Sequence, residues 1–161
     1  MPFRIGFGID VHRLEKGREF WLGGVLIPSE LGAVGHSDAD ALIHAICDAM
    51  LGAAGLRDIG FYFPDSDPAL KGIDSKLILK KILTLIKEEG YSIGNIDTTV
   101  CLQTPKIAQY IGSMQSALSE ILGIPAKKLG IKATTTEKLG FEGRSEGITC
   151  YAVVLLEKLS D

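Results

Sequence analysis

Three segments carry apolar residues at helical spacing. Ala41, Leu42, Ala45, Ile46, Ala49 and Met50 predict one buried helix, and Leu77, Ile78, Ile82, Leu85 and Ile86 give a second an apolar face. A third runs from about Ile107 to Leu122, with Gly123 as its stop. Ser37 with Asp40 three residues later can close the first helix as a capping box, and Asp74 or Ser75 caps the second, which ends before Gly90 and reads as purely structural. Strand patterns separate the helices. FRIGFGIDVH, residues 3–12, reads as a strand ending in a polar tip. Ile96, Thr98, Val100 and Leu102 alternate within Asn95–Thr104, Ile131 and Ala133 mark another strand, and the apolar run Ile148–Leu156 suits a sheet interior. Two short apolar runs flanking Gly23 and Gly24 predict a hairpin.

Composition bounds what this pattern can build. With 161 residues, 46% of them hydrophobic and 23% charged, one domain spanning 1–161 is expected, and no repeat or linker divides it. A net charge of -3 without a basic run argues against nucleic-acid binding, although a local cluster can still hold a phosphorylated small molecule. No apolar run is long enough to span a bilayer, and MPFRIGFGID lacks signal-peptide or transit character, so no membrane association and a cytoplasmic location are expected. Cys47, Cys101 and Cys150 are dispersed, which suggests neither a disulfide framework nor a cysteine zinc module.

Candidate chemistry then collects at a few points. Asp40, His44 and Asp48, four residues apart, form a polar stripe on a helix that is otherwise buried. Asp10 and His12, two apart on a strand, point to one side and suit a divalent metal, with His44 as a third ligand. A plain Asp–His hydrogen bond satisfies the same spacing. His36 stands just before the helix start, where free amides favour an anion; an exposed loop histidine is the competing reading. The segment from Arg57 to Ser75 carries Asp58, Asp65 and Asp67 among Gly, Pro and aromatics and reads as an active-site wall or an acidic solvated loop. Thr134, Thr135, Thr136 and Glu137 set three hydroxyls and a carboxylate at a strand end, suited to phosphate and to magnesium or manganese.

Taken together, GFGIDVHR, GHSDADALIHAICDAMLGAAGLRDIG, FPDSDPALKGIDS, PKI and ATTTEKLGFEGRSEGI occur in order over nearly the whole chain. In these motifs the sequence resembles the 2-C-methyl-D-erythritol 2,4-cyclodiphosphate synthase family of the non-mevalonate isoprenoid route. The resemblance implies an α/β (α+β) fold, a small mixed sheet with helices packed on one face. It also implies a homotrimer with the sheets around a central axis and active sites between subunits. It implies zinc on Asp10, His12 and His44, and magnesium or manganese on Glu137 at the diphosphate. The implied reaction converts 4-diphosphocytidyl-2-C-methyl-D-erythritol 2-phosphate to the 2,4-cyclodiphosphate and CMP.

By the same resemblance His36 and Thr135 steady the transition state, and His36 and Ser37 hold the substrate phosphate near Asp10, Val11 and His12. Asp58, Ile59 and Gly60, with Phe63, Pro64, Asp65, Ser66 and Asp67, are expected on the methylerythritol side. The cytidine side corresponds to Leu102, Gln103, Thr104, Pro105, Lys106, Ile107 and Ala108, with Thr134 to Glu137, Thr136 among them, under the diphosphate. Phe141 and Arg144 are further expected contacts. Asp40 and Asp48 are read as outer support for His44. Arg57, Leu102 and Ser145 depart from the residues expected at their positions, where smaller ones are usual. Two other classes compete: a zinc phosphohydrolase releasing inorganic phosphate, and a non-catalytic nucleotide-binding trimer, which would call for a closed four-ligand zinc.

Overall fold

The computed structural model describes residues 2–159, so the outermost residues of the expected 1–161 domain lie outside it. The chain opens with β1 (Phe3–Lys16), four residues longer than the predicted strand. The hairpin follows as β2 (Trp21–Leu22) and β3 (Val25–Leu26), turning on Gly23 and Gly24 at positive φ. β4 (Leu31–Val34), which no alternation announces, pairs with Arg13–Lys16, and this pairing extends β1 past His12.

α1 (Ala41–Ala54) is the predicted central helix, but its start differs from the expectation. Asp40 is the cap, accepting from the Ile43 amide, whereas the Ser37 hydroxyl accepts from Ala39, whose φ of 57° turns the chain before the helix begins. The segment after Arg57 is not structureless: α2 (Ile59–Tyr62), capped by Asp58, and a 3-10 turn at Pro68–Leu70, capped by Asp67, divide it. α3 (Ser75–Glu88) is capped by Asp74, and β5 (Tyr91–Cys101) starts four residues before the predicted strand and bulges between Ile93 and Asn95. A 3-10 turn at Ala108–Tyr110 precedes α4 (Ile111–Leu122), so that helix begins four residues later than its apolar pattern suggests and ends at Gly123 in the left-handed region. β6 (Leu129–Thr134), the short α5 (Gly140–Gly143) and β7 (Gly147–Lys158) complete the chain.

The main sheet runs β4-β1-β7-β5-β6, with β7 at its centre as its apolar run implies. β5 and β6 are parallel and the other pairs antiparallel, a mixed sheet as expected. α1 packs directly on β1 and β7. The closeness of that contact depends on Gly6 and Gly8. A Cβ on Gly8 would lie 2.0 Å from the Ala45 carbonyl oxygen, and one on Gly6 would lie 1.8 Å from that of Ala49. The alternate residues of the strand point the other way, where Phe3, Ile5, Phe7, Ile9 and Val11 are 46–73% exposed. One face of the sheet is therefore covered and the other is an open apolar surface. Among the described residues, no helix is long and apolar enough to cross a membrane.

Candidate active site

Because α1 lies against β1 at the two glycines, His44 on the helix comes to rest beside Asp10 and His12 on the strand. The ligand atoms of these three residues all lie within 4.8 Å of one another. His12 Nε2 stands 2.8 Å from Asp10 Oδ2, His44 Nδ1 stands 3.2 Å from the same oxygen, and the two imidazole nitrogens are 3.3 Å apart. Gly35 makes room for the arrangement, since a Cβ there would lie 2.9 Å from His12 Cε1.

Hydrogen bonds to the outer ring atoms show which nitrogens face Asp10. His12 Nδ1 is 2.9 Å from the Val34 carbonyl, which can only accept, so that nitrogen carries the proton and Nε2 turns toward Asp10. Burial pushes the Asp10 carboxyl up, but hydrogen bonds and charge from His12 and His44 outweigh it and hold the group below its ordinary value. Burial pulls His12 down, and Asp10 more than reverses this. Three lone-pair donors crowded together call for a positive charge among them, a proton or a metal ion. Tetrahedral zinc with bonds of about 2.0–2.1 Å sets its ligand atoms roughly 3.3 Å apart, so two of the three spacings already fit and the third must open by about 0.5 Å. Two imidazoles and one carboxylate are a suitable donor set, and among the described residues no fourth His, Cys, Asp or Glu joins the group.

The adjoining cavity, about 420 Å³, is lined by Asp10, His12, His36, Ser37, His44, Ile59, Gly60, Phe63 and Asp65, together with Leu70, Ile73 and Ile78. Most of the residues predicted for the methylerythritol and phosphate side thus meet in one place. His36 Nε2 lies 3.1 Å from the Asp67 carbonyl, and Asp58 and Asp67 are occupied as caps, while Pro64 and Ser66 lie outside the lining. Val11 lies among the exposed residues of the other sheet face. A second cavity of about 260 Å³ is lined by Leu102, Pro105, Lys106, Ile107 and Ala108 with Ala133, Thr134 and Thr135. Gln103 and Thr104 do not line it, and Gln103 Oε1 is buried without a hydrogen-bond partner among the described residues. Among the described residues none lines both cavities, so within one chain the expected cytidine side and the expected metal side are separate. Glu137, Phe141 and Arg144 line neither; Glu137 is exposed at φ 54°, and Arg144 pairs with Glu146.

The residues matched by the YgbB family profile are 3–157, the whole of this arrangement. The chain belongs to the YgbB family. A 2-C-methyl-D-erythritol 2,4-cyclodiphosphate synthase of Bacteroides fragilis is 58% identical over 159 residues, covering 99% of this chain and all of that protein. The bifunctional IspDF of Campylobacter jejuni superposes with a TM-score of 0.95 at 40% identity, covering 98% of this chain and 43% of that one. A solved 2C-methyl-D-erythritol-2,4-cyclodiphosphate synthase in its CDP-bound form gives 0.89 at 39% identity, covering 96% of this chain and all of that one.

Within this YgbB chain the three departures have local accounts. The Arg57 guanidinium sits 4.5 Å over the Phe61 ring, bracing the start of the loop. Leu102 is buried and forms a wall of the second cavity. Ser145 has φ 57°, which explains why Gly suits the position, and its hydroxyl lies 3.1 Å from that of Thr104. The expected support of His44 by Asp40 and Asp48 does not occur. The Asp40 carboxylate accepts from the amides of Gly23, Gly24 and Ile43, and Asp48 accepts from that of Ile59. His44 Nε2 instead meets the hydroxyls of Ser75 at 2.8 Å and Ser37 at 3.2 Å. Ser75 and its partner Asp38 lay inside the GIDS and HSDAD motifs, where only capping signals were legible.

Proposed function

We infer that this chain catalyses the conversion of 4-diphosphocytidyl-2-C-methyl-D-erythritol 2-phosphate to 2-C-methyl-D-erythritol 2,4-cyclodiphosphate and CMP, as a phosphorus–oxygen lyase of isoprenoid biosynthesis. The observation that carries the reading is the convergence of Asp10, His12 and His44 in the lining of the cavity, in a chain whose full-length relatives bear that enzyme's name. An oxygen of the substrate's 2-phosphate attacks the β-phosphorus, the β-phosphorus–oxygen bond to the cytidine phosphate breaks, and CMP departs with that oxygen. Nucleophile and electrophile belong to one molecule, so positioning and charge neutralisation supply most of the acceleration. Asp10, His12 and His44 would hold zinc, and Glu137 magnesium or manganese, ions that would supply Lewis acidity to the phosphate oxygens. His36 and Ser37 hold the 2-phosphate where the chain approaches α1. Thr135 donates to the diphosphate, and Lys106 adds positive charge on the cytidine side.

The single domain assembles as a homotrimer in this reading, with each active site formed between neighbouring chains. Two observations support it. The apolar row Phe3, Ile5, Phe7, Ile9 and Val11 needs cover, and the two halves of the expected site stand apart within one chain. The chain functions in the cytoplasm, without nucleic-acid or membrane partners.

Phosphorus NMR of the protein with substrate and magnesium tests the reaction. Stoichiometric CMP and a cyclic diphosphate are expected, lost on zinc chelation and in His44→Ala. Release of inorganic phosphate would assign a phosphohydrolase, and unchanged substrate with metal bound would assign a binding protein.

A further inference from the structure

We propose that Asp38 and Ser75 are positioning residues that set the tautomer and orientation of His44, leaving its Nδ1 lone pair free for the metal. This rests on the zinc reading of the Asp10, His12 and His44 group.

The argument is a proton count. The Asp38 carboxylate takes both donors that Ser75 offers: Oδ2 accepts the Ser75 backbone amide at 3.0 Å, and Oδ1 accepts the Ser75 hydroxyl. Ser75 is fully buried, and its hydroxyl has one hydrogen, so that hydrogen is committed to a group which cannot donate in return. The contact of 2.8 Å between Ser75 Oγ and His44 Nε2 must then run from the imidazole to the hydroxyl. Ser37 Oγ, 3.2 Å from the same nitrogen, already accepts from the Ala39 amide and can share the imidazole proton as a second acceptor. A neutral imidazole has one proton. With it on Nε2, the lone pair is on Nδ1, the atom that faces Asp10 and His12.

His12 obeys the same logic through a backbone carbonyl at Val34, which a side-chain substitution leaves in place. His44 depends on side chains, and they come from two distant segments. Residues 36–38 are also stitched to 72–73 through the backbone: the Gly72 amide donates to the His36 carbonyl at 2.7 Å, and the Asp38 amide to that of Ile73 at 3.1 Å. The Asp38–Ser75 pair thereby clamps the start of α3 to the segment that carries His36 and Ser37. Removing an outer hydrogen-bond partner of a metal-bound histidine typically lowers metal affinity about 10- to 100-fold.

The test measures zinc affinity by chelator competition at one fixed pH, on the wild-type protein, Ser75→Ala and Asp38→Asn, with circular dichroism to confirm that each is folded. Long-range nitrogen–proton correlation spectra of the metal-free proteins, taken where the imidazoles are neutral, report which nitrogen of His44 carries the proton. Wild type is expected to show the Nε2-protonated form. Ser75→Ala is expected to bind zinc about 10- to 100-fold more weakly, with His44 shifted toward the Nδ1-protonated form, and Asp38→Asn to move both readouts the same way. Weakened binding with the tautomer unchanged would reduce Ser75 to a packing role and overturn the proposal, as would wild-type affinity in both variants. Failure of the wild type itself to bind zinc would overturn the metal reading, and this proposal with it.

Discussion

Gly8→Ala is the substitution by which the geometry of this molecule is most sharply tested. The added Cβ would lie 2.0 Å from the carbonyl oxygen of Ala45, 2.7 Å from the amide nitrogen of Ala49 and 3.1 Å from the carbonyl carbon of Ala45. All three are backbone atoms of α1, so no side-chain rotation relieves the clash. Reaching an ordinary contact of 3.4 Å requires the helix and strand to separate by about 1.4 Å. α1 is buried along nearly its whole length, and such overpacking costs about 3 kcal/mol or more. For a chain of this size that lowers Tm by about 6–12 °C.

The same displacement falls on the site, because Ala45 follows His44 and Gly8 lies two residues before Asp10. Metal sites tolerate ligand shifts of about 0.2 Å, so zinc affinity is expected to fall, and kcat/KM with it by about 100-fold. Thermal unfolding with and without zinc, chelator competition and phosphorus NMR read the three consequences. Gly52→Ala supplies the opposite case on the same helix. It is exposed and nothing lies within 4 Å of its added Cβ, so a gain of about 0.4–1 kcal/mol is expected. A Gly8→Ala protein with Tm within about 2 °C of wild type and intact zinc affinity would refute the close-approach argument. Destabilisation by both substitutions would show that glycine itself, not the clearance, matters in this element.

Asp40→Ala strands three amides, two of them buried, and removes the cap of α1, an expected loss of about 3 kcal/mol by thermal or chemical unfolding. Burial raises the Asp40 carboxyl above its ordinary value of 3.8 despite those amides. Its contribution is therefore fully present below pH 3.8 and declines as pH rises through the raised folded value, so the gap between wild type and variant should be widest in acid. Glu137→Gln is expected to leave zinc affinity unchanged while turnover falls by about 100-fold and the magnesium requirement rises, read by activity against magnesium concentration. Ile5→Glu places a charge on the open sheet face where Ile5 is 73% exposed in the single chain. Light scattering should show a loss of the trimer; a wild-type mass near 17.3 kDa would instead remove the trimer reading altogether.

The elements built on a single period were legible from the sequence. The alternation of Ile96, Thr98, Val100 and Leu102 is the buried face of β5 and its exit, and the apolar register of Ala41 to Met50 is the core of α1. Asp10 and His12 share a side because strand geometry leaves no other arrangement. β4 was hidden because four residues carry too little pattern, and its partner is the unannounced extension of β1. The Asp40–His44–Asp48 stripe misled for a specific reason. Spacing of four places residues along one side of a helix, but Asp40 is a cap outside it, and its carboxylate folds back onto the hairpin amides. Asp48 turns to the amide of Ile59. The groups that do meet His44 come from residue 37 in the approach and residue 75 across the loop, separations that no local period encodes.

The division of the site explains where its rigidity is placed. The metal side rests on β1 and α1, two elements locked together by contact at Gly6 and Gly8, and its histidines are fixed by Val34, Ser37 and Ser75. The proposed cytidine side lies at the end of β6, an edge strand, and the chain continues into Glu137 and Lys138, both at positive φ. Backbone of that kind costs energy and persists where neighbours hold it. In the proposed trimer the adjoining chain would be that neighbour, and the two halves would meet across the interface. The two sides should then respond differently to dissociation: an Ile5→Glu monomer keeps zinc affinity near wild type, because that site is complete within one chain, while turnover disappears. Loss of zinc in the monomer, or turnover without assembly, would show that the site is not divided in this way.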